Sequence, residues 1–250
     1  MKLLVIVLCL FSERYLVHSV SHKRFSWFTD YFNIVCGKLP QTGFLANRWL
    51  TLFIVILPLF LAVFIVLCLF KSLLFGFIYL ILNLIVFYYC LGPGNPFYPV
   101  NNGETEAEEE SAAFNYFAVV NNQVFAIIFW YIILGPLAAL VYRLVSLCRD
   151  QSLTSGEAQR LTDILDWIPA RLTVLLYLLV GNFQHGLHFL IQNLFAMPAY
   201  NTELLGQGGL LAARARENEM VSLPFAQSLV EHAMIVYLVF IAAFTLVAWL

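Results

Sequence analysis

Asp163-Ile-Leu-Asp-Trp-Ile-Pro-Ala-Arg-Leu-Thr173 places two carboxylates, a proline and an arginine directly before the apolar residues Leu172–Val180. Charges where a helix enters a membrane are expensive and ask for a reason. Pro169 has no N–H to donate and biases Ile168 away from helical backbone. The string therefore predicts one helix ending near Trp167 and a second starting near Pro169. Asp166 would be the N-cap carboxylate of the second helix, and Arg171 would pair with it across the break. The chemistry open to such a pair is recognition of a charged ligand. The plainer reading is a capped, kinked helix start with an arginine reaching toward headgroups.

Other polar residues stand in unexpectedly apolar surroundings. Glu13 and Arg14 follow the apolar run Leu3–Phe11. Asn182, Gln184, His185, His188, Gln192 and Asn193 punctuate a segment that otherwise reads as helix. A polar helix among membrane spans must face protein or a cavity. This set is therefore read as lining a ligand cavity or as hydrogen-bonding between helices. His18 and His22 share a helical face but are too few for a metal site. The glutamates at 104, 106, 108, 109 and 110 follow no calcium-loop pattern and read as a solvated helix start or loop. No residue is singled out as catalytic or as a metal ligand.

The elements that must position these residues follow from composition. The chain has 250 residues, of which 62% are apolar and only 11% charged, against about 25% charged in soluble proteins. This is an all-α, polytopic helical membrane protein, read as one domain over 1–250. About four full spans are expected, near 50–70, 73–91, 124–143 and 233–250. Residues 169–197 form one long buried or spanning helix, or two pieces bent at Gly181 or Gly186. The segment 1–11 resembles a signal peptide, but no small-x-small site follows and the run is too short to cross about 30 Å of hydrocarbon. It reads as a peripheral helix. Residues 15–48 are basic and aromatic, suited to the headgroup level. An amphipathic helix is expected over 148–166, a polar loop over 198–209 and an exposed segment over 210–220. Asn83 is expected to bond a neighbouring helix. The five cysteines are scattered and read as small hydrophobes. A net charge of -2 points to no nucleic-acid partner. Five Lys/Arg fall on one side of the membrane and seven on the other, which places 143–231 in the cytoplasm.

Five stretches carry a family resemblance: Phe11-Ser-Glu-Arg14; Tyr89-Cys-Leu-Gly-Pro93; Val124–Pro136 with Leu140-Val-Tyr-Arg-Leu144; Leu165-Asp-Trp-Ile-Pro-Ala-Arg-Leu172; and Ser228-Leu-Val-Glu-His-Ala233. In this order they resemble AmpE, the inner-membrane regulatory signaling modulator of proteobacteria, and more distantly the CbiB/CobD membrane proteins of cobalamin biosynthesis. The resemblance implies a multi-pass protein of the bacterial inner membrane. It would be linked to β-lactamase induction and peptidoglycan recycling, recognising a muropeptide or a protein such as AmpD. The bilayer and a second copy of the chain, in a homo-oligomer, are further expected partners. An ATP role goes with the family, but no GxxxxGK[ST] occurs here, so no cofactor is evident. The alternative is a divergent CbiB/CobD-like amide-forming enzyme of the adenosylcobinamide-phosphate synthase class. Against it, the acidic elements of those synthases are replaced by Asn121-Asn122-Gln123 and Val145-Ser-Leu-Cys148. The positions that would line a ligand site or form its ion-pair network are Glu13, Arg14, Asp166, Arg171, Asn182, His185 and His188.

Overall fold

The computed structural model describes residues 2–15, 25–38, 47–71, 77–92, 106–214 and 220–247, with the side chains of Tyr15, Glu106 and His185 excepted. His18, His22, Glu104, the loop tip at 93–105 and the charged stretch 215–219 lie outside these residues. Every regular element described is helical: α1 (Lys2–Tyr15), α2 (Ser26–Lys38), α3 (Arg48–Leu69), α4 (Phe77–Cys90), α5 (Glu106–Val120), a π-helical turn (Asn121–Phe125), α6 (Ala126–Leu134), α7 (Pro136–Cys148), α8 (Ser155–Val180), α9 (Phe183–Gln192), α10 (Asn201–Ala213) and α11 (Leu223–Val247). The chain forms a helical membrane protein organised in two compact units. The first comprises 1–93 and 127–162, and the second comprises 94–126 and 163–250.

Three stretches among the described residues are long and apolar enough to cross a membrane: Arg48–Leu69, Ala107–Leu134 and Leu223–Val247. The 22 residues of α3 extend about 33 Å at 1.5 Å per residue. The first span matches expectation. The last begins ten residues early, because Leu223–His232 continues the helix. The span expected over 124–143 is displaced toward the N-terminus. Helix runs from 107 through the π turn to Leu134 and then breaks at Gly135, whose φ of 89° suits glycine, before Pro136 at the first position of α7. Of the span expected over 73–91, the described residues form α4, an apolar helix of 14 residues, and 73–76 lie outside them.

In the first unit, α1 packs on α4, burying Val5, Ile6, Cys9 and Leu10. Cys9 Sγ donates to the Leu84 carbonyl at 3.6 Å. Helix α7 packs on both α3 and α4. Arg143, 3% exposed, donates through Nε to the Cys90 carbonyl at 2.6 Å and lies over the Phe25 ring. Among the described residues Asn83 bonds its own helix rather than the neighbouring one expected. Its Nδ2 reaches back one turn to the Tyr79 carbonyl at 2.6 Å, an acceptor always within reach on its own helix.

In the second unit α10 is the centre, packed on α5, α9 and α11. This corrects the expectation of a polar loop at 198–209 followed by an exposed segment. Leu204, Leu205, Leu210, Ala212 and Ala213 are buried. The glycines that read as loop residues are the contact surface. A Cβ on Gly206 would strike the Phe114 ring, one on Gly209 the Phe117 ring, and one on Gly208 would lie 2.6 Å from Val174 Cγ1. Small residues that let helices approach closely are a membrane-protein device, and here they override glycine's poor helix propensity. Of the expected glutamate run, Glu110 on α5 forms an ion pair with Arg214, just past α10.

Candidate functional site

Helix α8 runs unbroken from Ser155 to Val180 with Pro169 inside it, so the expected break at 167–169 is absent and Asp166 is not an N-cap. On a continuous helix Asp166 and Arg171, five residues apart, point about 140° apart around the axis. That separation removes the expected Asp166–Arg171 pair. The guanidinium turns instead to neutral acceptors. Nε donates to the Leu194 carbonyl at 2.8 Å, Nη2 to the Ala196 carbonyl at 2.8 Å, and Nη1 to the Trp167 carbonyl at 2.8 Å and to Asn201 Oδ1 at 2.6 Å. Its carbon lies 4.6 Å from the centroid of the Trp167 ring, a cation–π contact. Trp167 Nε1 also donates to the Ala196 carbonyl, at 3.0 Å. Asn201 completes the set by donating from Nδ2 to the Asp163 carbonyl at 2.7 Å. Burial pushes the Arg171 pKa down from its usual value, but a guanidinium stays charged at any physiological pH. The result is a fixed cation, 7% exposed, that ties α8 to the turn after α9 and to the start of α10.

A second buried polar contact lies on the far side of α8, two residues on. Thr173 Oγ1 donates to Asn121 Oδ1 at 2.9 Å, and Asn121 itself is fully buried. Asn121 opens the π-helical turn, a distortion often found at functional sites. Tyr177 Oη, one turn further along α8, donates to the Phe117 carbonyl at 3.3 Å. Thr173→Val keeps the shape but strips Asn121 Oδ1 of this donor. The expected cost is about 1–2 kcal/mol, read as a fall of a few degrees in the melting temperature of the purified protein.

The remaining expected residues fall on α1, α8 and the segment after it. Glu13, 3% exposed, and Arg14, half-buried, sit in the last turn of α1 in the first unit, and both are engaged in interactions. Asp166, 4% exposed, is also engaged. Helix α8 ends at Gly181, so of the two bends expected the one at Gly181 is realised. Asn182 lies at that bend, its N–H donating to the Ala212 carbonyl at 2.8 Å and its Nδ2 to the Arg214 carbonyl at 3.3 Å. Gln184, His188 and Gln192 are exposed, with His188 Nε2 and Gln192 Nε2 2.8 Å apart, and Asn193 bonds its own helix at Phe189. His185 lies on the same helix, its side chain outside the described set.

Sequence reasoning missed Asn201, Asn121 and Thr173. The available signal for Asn201 was Pro198 followed three residues later by an asparagine, which opens a helix as readily as it closes a loop. Among the described residues no group of three His, Cys, Asp or Glu comes together to hold a metal ion. The first unit contains an apolar cleft of about 230 Å³ lined by residues including Trp27, Val63, Tyr89 and Leu140.

No protein-family profile matches the chain, and no solved structure matches it. A curated relative does: the cobalamin biosynthesis protein CobD of Chromobacterium violaceum is 38% identical over 74 residues, covering 26% of this chain and 24% of that protein. The match spans about a quarter of either chain and supports a CobD/CbiB-like relationship over that share.

Proposed function

We propose that this chain is a divergent CobD/CbiB-like membrane protein that joins an amine to a carboxylate on a large ligand at the inner membrane of a bacterium. The observation that carries this reading is the 38% identity to CobD over 74 residues, in a chain whose described elements are all helical and include three candidate spans. Amide formation from a carboxylate consumes activation energy, so ATP with Mg²⁺ is the proposed co-substrate. Under this reading the Arg171–Asn201 contact is a positioning device that holds α8 and α10 in register. Asp163 and Asp166, one turn apart on α8, are the carboxylates proposed to meet the ligand.

A second reading is an AmpE-like regulator that senses a muropeptide or a protein partner without chemistry. One observation favours it: where the synthases are acidic, this chain carries Asn121-Asn122-Gln123, and the Asn121 amide is committed to Thr173 and Asn122. Thermal-shift titration of the purified protein separates the two, because a ligand that binds the folded state raises the melting temperature by mass action. Cobyric acid with ATP-Mg²⁺ is expected to stabilise the protein, and adding an amino-alcohol phosphate should yield an amide product by mass spectrometry. Stabilisation by anhydro-muropeptide alone would overturn the synthase reading in favour of the sensor. No shift with either would leave a protein partner as the ligand.

A further inference from the structure

Helix α9 and the turn after it present three kinds of surface. Gly186 and Leu190 are buried, Gly186 against Leu178. Gln184, His188 and Gln192, each four residues apart, form an exposed polar stripe, while Phe183 and Ile191 are exposed and apolar. At about 100° per residue, Gln184, His188 and Gln192 occupy one sector and Phe183, Leu187 and Ile191 the next. The turn continues the apolar side: Leu194 is 38% exposed, Phe195 83% and Met197 80%. A helix with one protein face, one apolar open face and one polar open face fits a single environment, the boundary between headgroups and hydrocarbon.

This apolar tip is held in place. Leu194 and Ala196 give their carbonyls to Arg171, and Ala196 also accepts from Trp167, so the backbone that presents Phe195 and Met197 is tied to α8 on both sides. The same unit holds a candidate span. Helix α11 is long and apolar enough to cross a membrane and leaves Ile235, Val239, Phe240 and Phe244 exposed, and α10 packs on both α9 and α11. We propose that α9 lies along the bilayer surface, with Phe195 and Met197 inserted among acyl chains and the Gln184–His188–Gln192 stripe facing water and headgroups. This placement is independent of the synthase reading.

Spin-label accessibility tests it. In a background with Cys36→Ser and Cys68→Ser, nitroxides would be placed by Phe195→Cys, Met197→Cys, Gln184→Cys and His188→Cys, and the protein reconstituted in phosphatidylcholine–phosphatidylglycerol vesicles. The ratio of oxygen to nickel-chelate accessibility at 195 and 197 is expected to be severalfold higher than at 184 and 188. Equal nickel accessibility at all four positions would overturn the proposal by placing the tip in water. Shielding of 195 and 197 from both reagents would overturn it in favour of a protein contact, such as a second copy. Two tip positions and two stripe positions keep the comparison intact if one label perturbs the fold.

Discussion

Arg171→Ala lowers the melting temperature of the purified protein by roughly 6–12 °C. The substitution removes four hydrogen bonds, leaves the Leu194 carbonyl and Asn201 Oδ1 without the donor they have now, and leaves the Ala196 carbonyl with Trp167 Nε1 alone. Buried acceptors deprived of a charged partner cost about 3 kcal/mol or more in total, and each kilocalorie corresponds to about 2–4 °C in a chain of this size. Arg171→Lys recovers only part of the loss, because an ammonium lacks the planar fork that reaches four acceptors lying around it. An unchanged melting temperature in Arg171→Ala would show that the turn at 194–197 holds without its clamp. Retention of both membrane abundance and activity would remove Arg171 from the candidate site altogether.

Gly181→Ala is expected to damage the fold to a similar degree, by about 3 kcal/mol, through a different cause. A Cβ at Gly181 would collide with the backbone carbonyl oxygen of Ala212, with the carbonyl carbon 2.8 Å away and Leu229 Cδ1 at 3.1 Å. That same carbonyl accepts the Asn182 N–H at 2.8 Å. A flexible side chain could move aside, but here the end of α8 and the end of α10 would have to separate. Gly156→Ala is the control. It lies near the start of α8 with nothing within 4 Å of a Cβ, and the change should leave the melting temperature unaltered or raise it slightly. Equal behaviour of the two variants, measured in the same detergent, would refute the close approach.

Composition and apolar run length were enough to establish a helical membrane protein and to mark Arg48–Leu69 as long and apolar enough to cross, while the run expected over 124–143 lies at Ala107–Leu134. Hydrophobic transfer depends on side chains summed along a segment, so it is legible one residue at a time. The cysteines could be read in the same way: Cys9, Cys90 and Cys148 are buried as small apolar groups. The Arg171 stretch stood out because a charge in apolar surroundings must find partners. Which partners it found was not legible. The expected Asp166 pairing rested on a helix break at Pro169, and proline in a membrane helix permits continuation as well as interruption, since neighbouring groups can satisfy the backbone. Once α8 continued, the angle of about 140° between Asp166 and Arg171 excluded their pairing. Apart from the Trp167 carbonyl one turn back, the acceptors came from residues 23 to 30 positions away. Helix α10 was lost for a related reason. Gly206, Gly208 and Gly209 weaken a helix in isolation, and only the rings of Phe114 and Phe117 from α5 and the Val174 side chain from α8 make their smallness an advantage. The polar residues of α9 were assigned to the interior because position along the chain does not reveal depth. The tertiary structure turned Gln184, His188 and Gln192 outward beside an apolar tip. Local chemistry thus determined that these segments are helical and belong to a membrane protein, whereas long-range packing decided which polar atoms meet and which faces remain open.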